Sequence, residues 1–289
     1  MPDKHLTLSA AAGPDPAYDQ NPLGSCAYTT AQDVPFPQSV KSLSNMTLWC
    51  VRACLIAGLL GGGSILVGCA DEGAYRTIDR KSTDGTGRAY MGREIADVMT
   101  SEHGALWLDR PERDEEELPQ RLLLALNLKA SDVVADIGSG TGFFTFRLAE
   151  LVPSGRVYAV EVQQALVDTI QVRAGRQGIR NVTPVLGRAD DPSLPSNRVD
   201  VALIVSSYHE FTHPREMLQR LVAAIKPGGR LVVVEYRAED ETIPIESVHR
   251  MSEHQIIREA EAAGFQFRET LDVLPQQHVV VFVVPSGDV

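Results

Sequence analysis

Residues 133–148 read VVADIGSGTGFFTFRL, and this stretch decides the fold of the chain. A β-rich apolar run carries one acid, Asp136, and then breaks into three glycines at every second position, Gly138, Gly140 and Gly142. Helical apolar spacing resumes directly after them, so the pattern predicts a strand, a tight turn and the start of a helix. Because glycine has no Cβ, a flat polar ligand can lie against bare amides at the N-terminus of that helix.

The spacing of the glycines distinguishes this loop from a dinucleotide-binding loop. The dinucleotide fingerprint is G-x-G-x-x-G, and it places a pyrophosphate on the helix dipole. Here the pattern is G-x-G-x-G, with an acid two residues before the first glycine. A carboxylate at that position repels a pyrophosphate and favours an amino-bearing or cationic ligand. The spacing therefore disfavours the alternative of a nicotinamide-dependent oxidoreductase.

The composition predicts one or two soluble globular domains. The chain has 289 residues, of which 44% are hydrophobic, and a formal net charge of −11. An acidic balance without clustered Lys and Arg argues against nucleic-acid binding. All four cysteines, Cys26, Cys50, Cys54 and Cys69, precede residue 70. The later part of the chain therefore has neither a disulfide framework nor a cysteine metal site.

The segment of residues 46–69 resembles a bacterial lipoprotein signal. It has a short positive start, an uncharged apolar run and small residues that lead to Cys69, the residue that would be lipidated after cleavage. Residues 1–45 are then expected to be disordered or to precede the true start of translation at or near Met46. Residues 70–87 would be a linker.

This interpretation places the protein in the cell envelope, tethered to the membrane by acyl chains on Cys69. Two alternatives remain open. One is an uncleaved membrane anchor, and the other is a chance apolar segment in a cytoplasmic protein.

From residue 129 onward, strands and helices alternate as in a parallel sheet that is covered by helices. The last two predicted strands are close enough in sequence to form an antiparallel hairpin. The predicted strands are 133–137, 156–161, 181–186, 199–205, 230–235, 266–273 and 278–284. The predicted helices include 164–178, 214–225 and one that begins with a capping box at Ser252 and ends at Gly264. Residues 226–229 are predicted to be a turn.

The pattern D-x-G-x-G-x-G resembles motif I of the class I S-adenosylmethionine (AdoMet) methyltransferases, and the resemblance covers residues 129–289. It implies an α/β, Rossmann-like fold with a seven-stranded, mostly parallel sheet, helices on both faces and an antiparallel last strand. The motifs are similar to those of the ubiquinone/menaquinone methyltransferases. The resemblance therefore implies an enzyme that uses AdoMet as cofactor to methylate a small molecule. A lipid-anchored AdoMet-binding module without turnover is the alternative.

Residues 88–128 are predicted to form an N-terminal helical lid. Ile95, Val98 and Met99 have helical spacing, and a run of acids precedes the apolar stretch Leu122–Leu128 at the start of a further helix. By analogy with the family, this segment would fold over the site, keep water away from the sulfonium and shape the acceptor pocket. The residues expected to do so are Tyr90, Met91, Gly92, Arg93, Trp107 and Arg110.

The resemblance assigns cofactor contacts to the tips of successive strands. Asp136 and the glycine loop would hold the methionine part, and Glu161 would accept hydrogen bonds from the ribose hydroxyls. Asp190 or its neighbour Asp191 would accept the adenine amine, and spacing does not choose between them. The predicted cofactor-binding residues are Asp136, Gly138, Ser139, Gly140, Thr141, Gly142, Glu161, Val162, Asp190, Asp191 and Ser206.

The fourth strand of the sheet ends at residues 206–211, where the family presents the methyl acceptor. His209 is predicted to act as general base, with Tyr208 and Glu210 as further catalytic residues. The alternative is that His209 or Glu210 only caps the next helix. The acceptor atom is not determined by the sequence.

No metal site is predicted from the order of residues along the chain. Four histidines and two glutamates in the second half could in principle ligate an ion, but no pair of them stands at the ligand spacing of a helix. These residues are His209, His249, His254, His278, Glu210 and Glu235.

Overall fold

The computed structural model describes residues 73–286, except for the side chains of residues 101–103. The predicted segments 1–45 and 46–69 lie outside this range. Within residues 73–286, no helix has both the length and the apolar character that a membrane span requires.

The described chain begins with a small antiparallel sheet. Its strands are β1 (Tyr75–Thr77), β2 (Gly85–Tyr90) and β3 (Arg93–Ala96). Tyr90 and Ile95 are buried with Ala74 in a small apolar core of their own.

This sheet corrects two predictions. Residues 75–77 and 85–87 are strand rather than linker, and Ile95 is in a strand rather than a helix. The physical reason is the turn at Met91 and Gly92, which both have positive φ angles, 46° and 97°. Two left-handed residues in a row favour a tight hairpin.

Three short helices follow the small sheet. They are α1 (Ser101–Leu108), α2 (Arg113–Glu117) and α3 (Pro119–Ala125). The predicted single helix after the acid run is thus divided in two at Leu118, which has a φ of 48°. The residue before a proline disfavours the right-handed helical conformation, so Pro119 starts a new helix instead of continuing the old one.

A seven-stranded sheet forms the rest of the fold, in the order β6-β5-β4-β7-β8-β10-β9. Strand β10 is antiparallel to both of its neighbours, and the strands from β4 to β8 are parallel. The predicted fold class is therefore confirmed. The strands are β4 (Val133–Ile137), β5 (Arg156–Glu161), β6 (Val182–Leu186), β7 (Val199–Val205), β8 (Ile225–Tyr236), β9 (Gln266–Leu271) and β10 (Gln277–Val283).

The helices α4 (Phe143–Leu151), α5 (Gln164–Gln177), α6 (Pro214–Ala224) and α7 (Glu253–Ala262) complete the α/β alternation. The Ser252 hydroxyl accepts the Gln255 backbone N–H at 3.2 Å, as the capping box predicts. Residues 226–229 are not a separate turn, because β8 begins at Ile225 and includes them.

Two apolar cores cover the two faces of the sheet. Because successive residues of a strand point to opposite faces, Val134 belongs to one core while Ala135 and Ile137 belong to the other. The first core includes side chains from α3 and α4, and the second includes side chains from α6 and α7. Burial on both faces explains why the central strands are almost continuously apolar.

A buried ion pair attaches the small sheet to helix α7. Arg93 of β3 donates from Nε and Nη2 to the two carboxylate oxygens of Glu259 at 2.7 and 3.1 Å. Its Nη1 donates to the backbone carbonyl of His209 at 3.1 Å. The Tyr208 hydroxyl donates to the same carboxylate at 2.7 Å. Arg93 therefore fixes both the hairpin and the turn that follows β7.

We expect Arg93→Met to lower the free energy of unfolding by about 3–5 kcal/mol, because it leaves the Glu259 carboxylate buried without its cation. Urea denaturation of the full chain measures the change. Arg268→Met is the matched control, since Arg268 pairs with Glu269 on the surface, and its cost should be under about 1 kcal/mol. Equal losses in the two variants would contradict the role given to the buried pair.

Candidate functional site

The order of the strands places a crevice between β4 and β7. The chain runs from β4 outward through β5 to β6 and then returns to β7 on the other side of β4. At such a reversal the connections leave in opposite directions, and ligands bind at the carboxyl ends of the strands. A pocket with a free volume of about 1140 Å³, including its open mouth, lies at this point.

Two glycines make the turn after β4 sterically possible. Gly138 has a φ of 72°, and a Cβ there would lie 2.5 Å from the Ser207 hydroxyl oxygen. Gly142 has a φ of 93°, and a Cβ there would lie 2.6 Å from the ring of Phe146. Any other residue at these positions would strain the backbone and collide with its neighbour. The glycines therefore let the loop pack closely against α4 and against the turn that follows β7.

Glu161, at the end of β5, holds the loop in place. Its Oε2 accepts the Gly140 N–H at 3.0 Å, and its Oε1 accepts the N–H groups of Val162 and Gln163 at 2.8 and 3.0 Å. The carboxylate is 5% exposed and faces the pocket. Because each oxygen has two acceptor positions and three of the four are used, Oε2 can still accept one hydrogen bond from a ligand.

Asp136 is the second buried acid of the pocket. The Thr145 hydroxyl donates to its Oδ2 at 2.6 Å. Burial raises the pKa of Asp136 to about 6, and the hydrogen bond from Thr145 and the charge of Arg113 offset only part of this effect. A cationic group of a ligand placed beside this carboxylate would stabilise its ionised form.

Arg113 is the one cation among the described residues that line the pocket, and sequence reasoning missed it. Its guanidinium is buried, donates to Glu117 and to the Leu108 carbonyl, and lies 4.0 Å from the ring centroid of Phe143. The acid run that follows it suggests only a solvated helix start. Nothing in the sequence indicates that this arginine points inward, because its burial depends on how α2 packs on α4.

The segment before the large sheet supplies one wall of the pocket. Met99, Trp107 and Leu108 line it. The segment is joined to the glycine loop through Asp109, which accepts hydrogen bonds from the Thr141 hydroxyl at 2.6 Å and from Arg173 at 2.5 Å.

The predicted lid is therefore only partly found at the pocket. Trp107 is in place, whereas Arg110 stacks on the outer side of Trp107 and pairs with Glu116 and Glu117. Tyr90 and Arg93 are away from the pocket lining, in the small sheet.

Eight of the eleven predicted cofactor-binding residues line the pocket, and three do not. Ser139, Gly140, Thr141, Val162 and Ser206 line the pocket together with Asp136, Gly138 and Glu161, whereas Gly142 supports the loop from behind. Asp190 and Asp191 lie outside the lining residues. Both pair with Arg188, and only Ala189 of that loop reaches the pocket.

The turn after β7 separates the three predicted catalytic residues. Glu210 lines the pocket, whereas Tyr208 and His209 do not. Tyr208 points into the core, where its hydroxyl meets Glu259. The His209 ring is buried behind the pocket wall, with Nδ1 2.7 Å from Oε2 of Glu235. Ser206 has a φ of 47°, so the backbone turns sharply here and sends successive side chains in different directions.

The pKa values of His209 and Glu210 are both raised. Burial raises the pKa of Glu210 to about 7, although His209 and the Met99 backbone N–H act in the opposite direction. Burial alone would lower the pKa of His209, but the charge of Glu235 and its hydrogen bond outweigh burial and raise it. Adjacent ionisable groups with shifted pKa values are typical of functional sites.

Residues 134–229 match a family model described as a methyltransferase domain. The chain is 32% identical over 105 residues to the ubiquinone/menaquinone biosynthesis C-methyltransferase UbiE of Ectopseudomonas mendocina, a match that covers 36% of this chain and 41% of that protein. The UbiE protein of Pasteurella multocida is also 32% identical, with 36% and 39% covered. The chain thus spans less than half the length of these relatives.

Solved structures agree with the sequence matches. A SAM-dependent methyltransferase from Aquifex aeolicus is 26% identical with a TM-score of 0.61, and the match covers 65% of this chain and all of that chain. A putative methyltransferase from Haloferax volcanii, solved with the Trm112 activator, shares the fold at 17% identity and a TM-score of 0.52. The large sheet and its helices therefore have the fold of class I AdoMet-dependent methyltransferases.

Proposed function

We propose that this protein is an AdoMet-dependent methyltransferase that acts on a small-molecule acceptor. The observation that carries the proposal is the meeting of two buried carboxylates, Asp136 and Glu161, with a Cβ-free glycine loop in one pocket at the strand-order reversal. Among the described residues that line this pocket, Arg113 is the one cation, and carboxylates outnumber it, which disfavours a pyrophosphate. The matched methyltransferase domain contains all of these groups except Arg113.

The residues of the pocket fit the three parts of AdoMet. Asp136 lies where it can face the ammonium of the methionine part, and Arg113 is the cation available to its carboxylate. Oε2 of Glu161 has one acceptor position left for a ribose hydroxyl. Val162 and Ala189 line the pocket beyond Glu161, where the adenine ring can pack against them. A role for Asp190 or Asp191 toward the adenine amine stays a prediction.

The acceptor side of the pocket is formed by residues from two parts of the chain. Met99 and Trp107 come from the segment before the sheet, and Glu210, Phe211 and Thr212 come from the turn after β7. Glu210 is the ionisable residue on this side, so we assign to it the contact with the acceptor. Tyr208 and His209 act from behind it as positioning residues.

Catalysis in this pocket depends on alignment and on the exclusion of water. Bound AdoMet supplies a methyl group on a positively charged sulfur. The chain has to hold an acceptor atom in line with that methyl group, and such alignment lowers the barrier without a covalent protein nucleophile. The apolar side chains of Met99, Trp107 and Phe143 keep water away from the reacting atoms.

The match to the UbiE relatives does not identify the methyl acceptor of this chain. The match covers 41% of the relative, and the family model begins at residue 134. The wall formed by Met99, Trp107 and Leu108 therefore lies outside the domain that this model describes, and it is this wall that would select the acceptor.

We infer the envelope location from the sequence pattern of residues 46–69 alone. Lipidation of Cys69 would tether the enzyme to a membrane surface. Fractionation of cells that produce a Cys69→Ser variant tests this inference, since the variant should move to the soluble fraction.

Calorimetry of the full chain with AdoMet, S-adenosylhomocysteine and NAD⁺ tests the cofactor. We expect binding of the first two and none of the third. Glu161→Gln should weaken AdoMet binding by roughly 10- to 100-fold, the loss expected for hydrogen bonds to a charged acceptor. Glu150→Gln, on the exposed side of α4, is the control and should bind like the parent. Binding of NAD⁺ in place of AdoMet would overturn the proposal.

We expect Asp136→Asn to change stability and binding in opposite directions. The folded pKa of Asp136 is about 6, above the usual value of an aspartate, so its ionised form destabilises the ligand-free protein. The cost is complete above pH 7, falls as the pH drops through 6, and is absent below about pH 4. Asp136→Asn should therefore stabilise the ligand-free chain by up to about 3 kcal/mol at pH 8.

The same variant should bind AdoMet more weakly, because the charge that faces the ammonium is lost. Melting temperatures across pH measure the first effect, and calorimetry measures the second. Asp168→Asn, at an exposed position of α5, is the control and should change neither. An Asp136→Asn variant that is less stable at pH 8 and binds normally would show that this acid is structural.

A further inference from the structure

Three side chains capable of binding a metal ion meet beside the pocket. One ligand atom from each of His209, Glu210 and His249 lies within 4.8 Å of the other two. Nε2 of His209 is 3.9 Å from Oε1 of Glu210, and the two imidazole rings are in edge contact with their centroids 5.1 Å apart. Among the residues that the structure describes, no other three His, Cys, Asp or Glu are grouped in this way.

We propose that His209, Glu210 and His249 form a binding site for a divalent transition-metal ion, with an open coordination position toward the pocket. Two imidazole nitrogens and one carboxylate are a ligand set of catalytic zinc sites, which keep a further position for water or substrate. With bonds of about 2.1 Å, two ligands of one ion are at most about 4.2 Å apart. The pair His209–Glu210 already meets this limit, and a small movement of the His249 side chain completes the set.

The surroundings of both histidines resemble those of metal ligands. Because a carboxylate only accepts hydrogen bonds, Nδ1 of His209 carries the proton that it shares with Glu235 at 2.7 Å. Nε2, the nitrogen that faces Glu210, is then the ring nitrogen that could bind an ion. Asp84 lies 3.5 Å from Nε2 of His249, so each imidazole has a carboxylate neighbour. Metal-binding histidines are usually oriented by such a carboxylate.

The local charge balance also favours a cation. Glu210 and Glu235 approach His209 from two sides. The nearby cation Arg93 is held by both oxygens of Glu259. Buried carboxylates are costly without compensation, and an ion of charge +2 would offset the charges of Glu210 and Glu235 together.

The spacing of residues along the chain does not indicate this site, because its ligands come from two separate loops. His209 and Glu210 lie in the turn after β7, and His249 lies in the single helical turn Ser247–His249 of the loop between β8 and α7. The Arg93 hairpin contacts the first turn through the His209 carbonyl. The expectation of no metal site rested on helical ligand spacing, which does not apply to ligands from separate loops.

The site narrows the class of acceptor, a step that rests on the proposed function. Because Glu210 lines the pocket, the open position would receive a hydroxyl oxygen of the acceptor, and the ion would lower the pKa of that hydroxyl. The hydroxyl proton would leave to solvent when the oxygen binds the ion, before the methyl transfer. The acceptor oxygen would then form a bond to the methyl carbon as the carbon–sulfur bond breaks. The electron pair of the broken carbon–sulfur bond would stay on sulfur, which becomes a neutral thioether. The acceptor is therefore a small molecule with a metal-coordinating hydroxyl group.

Titration with Co²⁺ alone tests the site without AdoMet or acceptor. The full chain, freed of affinity tags and stripped of metal with a chelator, should bind one equivalent of Co²⁺ with a visible absorption spectrum that Zn²⁺ displaces. His249→Ala and Glu210→Gln should lose this spectrum. The matched controls His254→Ala and Glu246→Gln, both at exposed positions, should keep it. A parent chain that binds no Co²⁺, or controls that lose the spectrum equally, would overturn the proposal.

A third variant tests the orientation of the first ligand. Glu235→Gln should weaken Co²⁺ binding by about 10- to 100-fold, because the residue orients the His209 ring without touching the ion. The melting temperature of each variant shows whether it is folded, and AdoMet calorimetry on the same samples separates the two proposals. Normal AdoMet binding by a chain that binds no Co²⁺ would remove only the metal site. Co²⁺ binding by a chain that does not bind AdoMet would remove only the proposed function.

Discussion

The burial of three carboxylates at or near the carboxyl ends of parallel strands is the constraint on which the site depends. Asp136, Glu161 and Glu235 come from β4, β5 and β8 and are each at most 5% exposed. A buried carboxylate is costly unless hydrogen-bond donors surround it. The backbone meets this need for two of them. Amides of the glycine loop and of the turn after β5 donate to Glu161, and amides of the turn after β7 donate to Glu235. The conformations of these turns are therefore fixed by the acids they surround. Asp136 receives one hydroxyl and has the raised pKa that such poor compensation produces. The chain keeps an unfavourable charge where a cationic ligand would relieve it.

The part of the chain that precedes the large sheet completes the site in two ways. Residues from Met99 to Arg113 supply one wall of the pocket and connect to the glycine loop through Asp109. The hairpin of β2 and β3 contacts the turn after β7 from the other side, through Arg93 and the His209 carbonyl. In the proposed function, the cofactor and the acceptor are therefore held by different parts of the chain. The proposed cofactor side lies largely within the matched range of residues 134–229. The proposed acceptor side combines residues 210–212 of that range with residues that precede it. Such a division explains how one methyltransferase fold can serve acceptors of different chemistry.

Particular elements show where sequence reasoning succeeded and why it failed elsewhere. The boundaries of β4, β5 and β7 agree with the predicted strands residue for residue, because apolar strands next to glycine turns carry a strong local pattern. The hairpin at Met91 and Gly92 was missed, because methionine gives no signal for a left-handed turn. Arg113 and the separation of Glu210 from Tyr208 and His209 were missed for another reason. Both depend on which way a side chain points after a short helix or a strained turn, and nothing in the local sequence specifies that direction.

The sequence by itself determined the α/β alternation, the seven-stranded sheet and the glycine loop with its two acids. These features depend on local periodicity and on backbone freedom at glycine, both of which are visible in a linear pattern. Only the tertiary structure decided which of the predicted residues share a space. It left Asp190 and Asp191 outside the pocket lining, placed Arg113 in the pocket, and brought His249 to His209 and Glu210. Contacts of this kind join residues from separate loops. Their distances are set by how the sheet twists and how the loops pack, and no spacing along the chain records them.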